Sequence, residues 1–203
     1  MTTRTCLHSI HVALLAGALA LSTVADVRGQ TAPTPGGGGL ADGGGSAISA
    51  GMDVPTSYVT NSIVKNINAA RVECGSYEPI YRIDCLRQRL AEITRKIPRG
   101  PAYSEARQIV GRAASQLGRI QAGIADQKAP RKRSRGNARL KAAHVYTADR
   151  RDKLNKAMEQ ARQVIAEAET QLLRAGENSE KRAGHYQQIA AALGSTKVLL
   201  RST

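Results

Sequence analysis

The chain has 203 residues, with 30 Lys plus Arg against 16 Asp plus Glu, a formal charge of +14, and six Tyr but no Phe or Trp. The length allows one or two domains at ~150 residues each. The missing large aromatics exclude an aromatic-rich core and remove the platform on which single-stranded nucleic acid is usually stacked.

At the N-terminus, Arg4 precedes the apolar run Val12 to Leu21 (VALLAGALAL), which is followed by the small residues of Thr23-Val24-Ala25. This pattern predicts a secretory signal peptide over residues 1–25, cleaved after Ala25 or alternatively after Gly29. The run falls short of the ~20 apolar residues that a membrane span needs, so no transmembrane span is expected after signal removal. Cys6 lies ahead of the run, where it cannot serve as a lipoprotein cysteine. Residues 26–55 have no hydrophobic period, and 9 of the 19 Gly fall between Asp26 and Gly51. They predict a disordered linker rich in Gly, Pro and Ala. One domain remains, residues 56–203, with 28 Leu, Ile and Val. That is close to the lower limit for a charged chain that folds, so its 23 Ala must help to build a thin core.

From Ser57 the spacing of Val59, Ile63, Ile67, Ala70 and Cys74 lines one face of a first helix, and Gly75 can close it. Pro79 suits the first turn of a second helix, striped by Ile80, Ile83, Leu86 or Arg87, Leu90, Ile93 and Ile97 and stopped at Pro98. Pro101 can begin a third, carrying Ala106, Ile109 or Val110, Ala113, Leu117, Ile120 and Ile124 until Pro130 forbids continuation. Gly111, Ala114 or Ser115, Gly118 and Ala122 form a small-residue strip on it, which predicts close approach of a neighbouring backbone. A heptad-like series follows: Leu154, Met158, Ala161, Ile165, Ala168, Leu172 and Ala175. Extended back to Arg139 or Leu140, this fourth helix would have about 36 residues and span about 54 Å. Gly176-Glu177-Asn178 breaks it. Ser179 then caps a fifth helix through Ala183, Tyr186, Ile189, Ala190 and Leu193 to Gly194, with a short tail behind. No stretch alternates long enough for a sheet. The expected fold class is all-α, a four- to five-helix antiparallel bundle with one long helix. The heptad stripe is expected as intramolecular core before a dimer seam, although Leu154 to Leu172 would also suit a homo-oligomer.

Cys74 and Cys85 are the two cysteines left after signal removal, and an even pair in an exported chain predicts a disulfide. There is no C-x-x-C spacing, and the mature histidines, His144 and His185, are 41 residues apart in no ligand pattern. Neither a redox pair nor a metal site is therefore expected, and no cofactor motif is present. Each histidine reads as a helix-surface residue. Asp84, Glu92 and Glu105 read as partners in i to i+4 pairs on solvated helices. No catalytic residue emerges. The alternative to a non-catalytic protein is a periplasmic enzyme whose site would be assembled from remote residues among His144, His185, Tyr146, Tyr186 and a carboxylate.

The strongest feature is electrostatic. Between Arg131 and Lys156 stand ten basic residues against Asp149 and Asp152, a local net of +8. The core RKRSRG (Arg131 to Gly136) is expected as an exposed loop that does not pack. Arg131, Lys132, Arg133, Arg135, Arg139 and Lys141 form the candidate anion- or partner-binding patch. For an exported chain without stacking aromatics, an envelope protein or an anionic lipid or polysaccharide is a better partner than nucleic acid.

The segments YRIDCLRQRL (Tyr81 to Leu90) and EKRAGHYQQIAAALGSTKVLLRS (Glu180 to Ser202) resemble stretches of uncharacterised secreted proteins of alphaproteobacteria. The likeness covers most of Val72 to Ser202 and is weakest in the basic loop. It implies a periplasmic protein with a disulfide-linked helical domain. That family has no assigned activity, so no catalytic or binding residue carries over. The sequence thus predicts an exported, non-catalytic helical interaction or structural protein of the bacterial envelope, periplasmic or secreted.

Overall fold

The computed structural model describes residues 54–201. The expected signal peptide, both cleavage positions and the linker up to residue 53 lie outside the described residues. Thr56 opens α1 (Ser57–Gly75): its Oγ1 accepts from the Val59 amide at 3.4 Å, and Ile63, Ile67, Ala70 and Cys74 turn inward as their spacing requires. After a three-residue connection Pro79 starts α2 (Pro79–Lys96), where its missing N–H costs no helical bond; Arg95 and Lys96 sit at the negative end of the helix dipole. α3 (Ser104–Ile124) and α4 (Arg151–Glu177) are joined by the longest connection, and Asn178 and Ser179 alone link α4 to α5 (Glu180–Gly194). The tail forms one 3₁₀ segment, Ser195–Leu200, which buries Thr196, Leu199 and Leu200.

The helices close a ring. Each packs on its neighbour in the chain, α5 returns to α1, and the 3₁₀ segment plugs one end against α1, α2, α4 and α5. The class is helical, and among the described residues no helix is long and apolar enough to cross a membrane. The heptad positions of α4 from Met158 to Ala175 are buried, and α4 packs on α3 and α5. The stripe is therefore part of the chain's own core.

The fourth helix is shorter than its spacing suggested. It begins at Arg151, not at Arg139 or Leu140, and its 27 residues span ~40 Å. The preceding residues instead form two three-residue strands, β1 (Lys132–Ser134) and β2 (His144–Tyr146), paired antiparallel with Lys132 opposite Tyr146 and Ser134 opposite His144. The reason is local. The Asn137 Oδ1 accepts from the amides of Arg139 at 3.0 Å and Leu140 at 2.8 Å, while the Asn137 amide donates to the Leu140 carbonyl at 2.9 Å. Such a side chain offers the backbone an alternative to helical bonding. Gly136 precedes it at φ +86°, where a Cβ would meet the Leu140 carbonyl oxygen at 2.6 Å. Within Arg131 to Gly136 the four cations are exposed as expected and Ser134 alone is buried, while Leu140, Tyr146 and Ala148 farther along the connection pack inward.

Cys74 at the end of α1 and Cys85 in the second turn of α2 are disulfide-bonded, with Cα atoms 5.6 Å apart, and neither is exposed. The bond spans a connection of only 11 residues and pins the first two helices. Replacing both residues by Ala should lower stability by ~2–3 kcal/mol, read as a shift in the urea midpoint. A midpoint equal to that of the parent would show that packing alone holds α1 to α2.

Candidate functional site: a basic hairpin on a buried ion network

Along the hairpin, Arg133 and Val145 share the exposed face, and Ser134 and Tyr146 on the opposite face are buried. Arg131, Lys132, Arg133, Arg135, Arg139 and Lys141 are all exposed. Lys132 lies over the Tyr81 ring, its Nζ 5.7 Å from the centroid, and Arg139 donates from Nε to Asn66 Oδ1 at 2.9 Å. Among the described residues, none of the six has a carboxylate within 4.0 Å. Their mutual repulsion is therefore not relieved by ion pairing, and something else must hold the loop in place.

That anchor is Arg89, a guanidinium with 0% exposure on the inner side of α2. One of its terminal nitrogens meets Glu73 Oε1 of α1 at 2.6 Å and Ser134 Oγ of β1 at 2.9 Å. The other meets Glu92 Oε2 at 2.7 Å and the Ala142 carbonyl at 2.9 Å. Glu73 collects the rest of the loop: Ser134 Oγ at 2.7 Å, Tyr146 OH at 2.9 Å and, on its second oxygen, Asn137 Nδ2 at 2.7 Å. His144 on β2 faces Glu92 Oε2 through Nε2 at 3.3 Å.

The electrostatics follow from these contacts. Burial alone would raise the Glu73 carboxyl, but the hydrogen bonds from Arg89, Ser134 and Tyr146 outweigh it and hold Glu73 below the usual range, so it stays ionised. Burial likewise opposes the Arg89 charge, and its two carboxylates overcome that cost and raise it. Burial and the Glu73 acceptor push the Tyr146 phenol up, which keeps it a neutral donor. A cluster whose members are inside and mutually bonded holds structure together; its function is to seat the hairpin.

Two further acids differ from the sequence expectation. Asp84 and Glu92 are not on solvated faces but are 1% and 4% exposed. Asp84 accepts from the Thr147 amide at 2.7 Å and from Arg87 and Gln88, and so fixes the far end of the loop. Beside it the end of the loop is tied to two helices: the Asp149 amide donates to the Ile80 carbonyl of α2 at 2.7 Å, and the Arg150 amide to the Ile124 carbonyl of α3 at 2.9 Å. Both Asp149 carboxyl oxygens are buried without a partner.

Of the two histidines, His185 does lie on a helix, half-buried on α5, and His144 does not. His144 lies on a strand in the Arg89 cluster, whereas His185 on α5 bonds Thr60 Oγ1 through Nδ1 at 2.9 Å, in a separate network with Tyr103. Tyr186 is buried and donates to the Ala102 carbonyl at 3.2 Å. Of the residues considered for a remote site, the structure brings together His144, Tyr146, Glu73 and Glu92, and it leaves His185 and Tyr186 elsewhere. No group of three His, Cys, Asp or Glu among the described residues could hold a metal ion. Arg89, Glu73, Ser134 and Asn137 escaped the sequence reading. The one signal was Arg89 itself, standing between Leu86 and Leu90 on the apolar side of α2. Compared with protein-family models, curated proteins and solved structures, the chain matches none.

Removing Arg89 would leave two carboxylates facing each other inside the protein. Arg89→Met should cost ~3–5 kcal/mol in chemical denaturation and raise amide hydrogen exchange across Ser134–Tyr146 first. Unchanged exchange in the hairpin would show that Arg89 does not anchor it.

Asp149 gives a second test. Burial, and then the charge of Asp84, push its carboxyl up to about 8. Between the ordinary Asp value and pH 8 the folded protein keeps a proton that the unfolded chain releases, so stability from this site falls as pH rises through that window. Asp149→Asn should therefore be more stable than the parent at pH 7–8, on the order of a few kcal/mol, with the difference vanishing near pH 4. Thermal melts across that range measure it, and equal melts at pH 7.5 would refute a neutral Asp149.

Proposed function

We propose that this chain is an exported, non-catalytic interaction protein of the bacterial cell envelope, and that its basic hairpin engages an anionic partner. One observation carries the reading: six exposed cations, with no carboxylate within 4.0 Å among the described residues, are mounted on a hairpin whose inner side is fixed by a buried ion network. A fixed array of cations loses little conformational freedom on binding, which favours recognition of closely spaced anionic groups. Export is supported by the charged and apolar pattern of residues 1–25 and by the paired Cys74 and Cys85. The resemblance of Tyr81 to Leu90 and Glu180 to Ser202 to secreted alphaproteobacterial proteins supports a periplasmic or secreted location.

The chemistry of the patch favours phosphate- or carboxylate-bearing lipids and polysaccharides over nucleic acid. The two tyrosines at the hairpin are committed elsewhere: Tyr146 is buried, and the Tyr81 hydroxyl donates to the Pro130 carbonyl at 2.7 Å. Neither offers a face for a base. The α4 stripe is a poorer candidate for the contact surface, because Met158, Ala161, Ile165 and Leu172 are each 1% exposed or less.

On an anionic matrix such as heparin–agarose, the chain should be retained and should elute with rising salt. Replacing Arg131, Lys132, Arg133 and Arg135 together by Gln should flatten the salt dependence and abolish retention at moderate salt. Replacing Lys153 and Lys156 should not. Retention unchanged by the fourfold substitution would reject the hairpin as the binding surface.

A further inference from the structure

A second surface differs in chemistry from the hairpin. Between α2 and α3 runs a furrow of about 1040 Å³ lined by 13 residues, all from those two helices, of which four are Arg and none is Asp or Glu. Its floor is the small-residue strip: Gly111, Ala114, Gly118 and Ala122 follow one another along α3, with Ala91 of α2 opposite. Gly111 and Gly118 seat the neighbouring helix closely, since a Cβ there would lie 3.2 Å from Thr94 Cγ2 and 3.0 Å from Arg87 Cδ. Gly123, just beyond the furrow, has nothing within 4 Å. The glycines are thus placed where they thin the seam between the two helices.

The rim is Arg87, Arg107, Arg112 and Arg119. Arg87 has a carboxylate partner, Asp84, at 2.5 Å. Arg107 donates to the Ile97 carbonyl at the end of α2 at 2.8 Å, and Arg112 reaches across to α4 and donates to Gln171 Oε1 at 2.9 Å, both neutral acceptors. Neither of these, nor Arg119, has a carboxylate within 4.0 Å among the described residues.

We propose that this furrow docks an acidic amphipathic helix of a partner protein. Two walls without a third suit an elongated object over an enclosed small molecule. With the glycines turned to α2, the open side of the furrow carries only the short side chains of Ala91, Ser115 and Ala122, which lets a second helix approach to the ~8–10 Å of ordinary helix packing. Arg107 to Arg119 cover ~18 Å of α3, so Asp or Glu spaced along one side of a helix of similar length would meet them, while its small apolar residues cover the floor. A polysaccharide or lipid headgroup would satisfy the rim but leave the floor wet. A second copy of this chain would set Arg against Arg. Charge complementarity therefore selects a partner of opposite sign.

The test uses an alanine-rich helical peptide with Glu along one side, its all-Gln counterpart, heparin and anionic lipid vesicles, each titrated into the protein while amide chemical shifts are followed. The Glu peptide should shift residues from Arg87 to Thr94 and from Arg107 to Ala122, and the Gln peptide should not bind. Arg119→Gln should weaken the Glu peptide about threefold, the size of one exposed rim pair. Ala122→Trp, which fills the floor without altering charge, should weaken it comparably. The fourfold hairpin variant should bind it as the parent does, so that this surface and the hairpin fail or succeed separately. The proposal is overturned by an absence of Glu-peptide binding, by binding indifferent to both furrow variants, or by heparin or vesicles producing the same shifts with no loss on Ala122→Trp.

Discussion

The described fold depends on a guanidinium taken out of water. Arg89 has no exposure, and desolvating it is affordable only because Glu73 and Glu92 stand on either side within 2.7 Å. The arrangement is costly to form and more costly to break partially, which makes it selective. The loop between α3 and α4 has to bring Ser134, Asn137, Ala142 and Tyr146 to these acids in one register, or leave buried charge unsatisfied. A cluster of this kind specifies a conformation for a stretch too polar and too positive to choose one by hydrophobic burial.

The core explains why such a device is needed. Much of the buried apolar set is Ala, and large side chains are concentrated on the inner stripes of the helices. A thin core stabilises the ring of helices and offers a surface loop little apolar area to dock on. Leu140 is the loop's one large aliphatic anchor, and Ala148 a small one. The disulfide between Cys74 and Cys85 acts next to the same place, because Glu73 precedes the first cysteine and Arg89 lies one turn beyond the second. Covalent and ionic restraints thus meet at the junction of α1, α2 and the hairpin. The charges on the outer side of the hairpin are held where they face solvent, and the arginine-rimmed furrow of α2 and α3 is built on the same second helix.

Much of the helical order could be read along the chain. The first two helices begin and end where Thr56, Gly75, Pro79 and Pro98 place them, and Cys74 meets Cys85, because caps, proline and short connections act within a few residues. The third begins a few residues past Pro101, and the short tail forms a 3₁₀ segment that buries Leu199 and Leu200. The error lay at the start of α4. Residues 139–150 contain Leu140, Ala142 and Ala143, which a helical period accepts, yet Asn137 ties the backbone of Arg139 and Leu140 into a turn and Tyr146 is drawn under the strand to Glu73. Asp84 and Glu92 are buried for a related reason: the periodicity of a basic helix places them on its polar side, and the loop that covers them comes from residues 50 or more positions away.

By itself the sequence determined the helical class, the inward faces of the helices, the cysteine pairing and the place where positive charge accumulates. These are properties of neighbours within a turn or two, and local periodicity reports them. The tertiary structure alone decided that the basic stretch is a seated hairpin and not an extension of α4. It did so through hydrogen bonds linking residues 16 to 73 positions apart, such as Arg89 to Glu73 and Tyr146 to Glu73. The strength of those bonds comes from the exclusion of water, and burial of that kind exists only once the helices and the loop have closed around them.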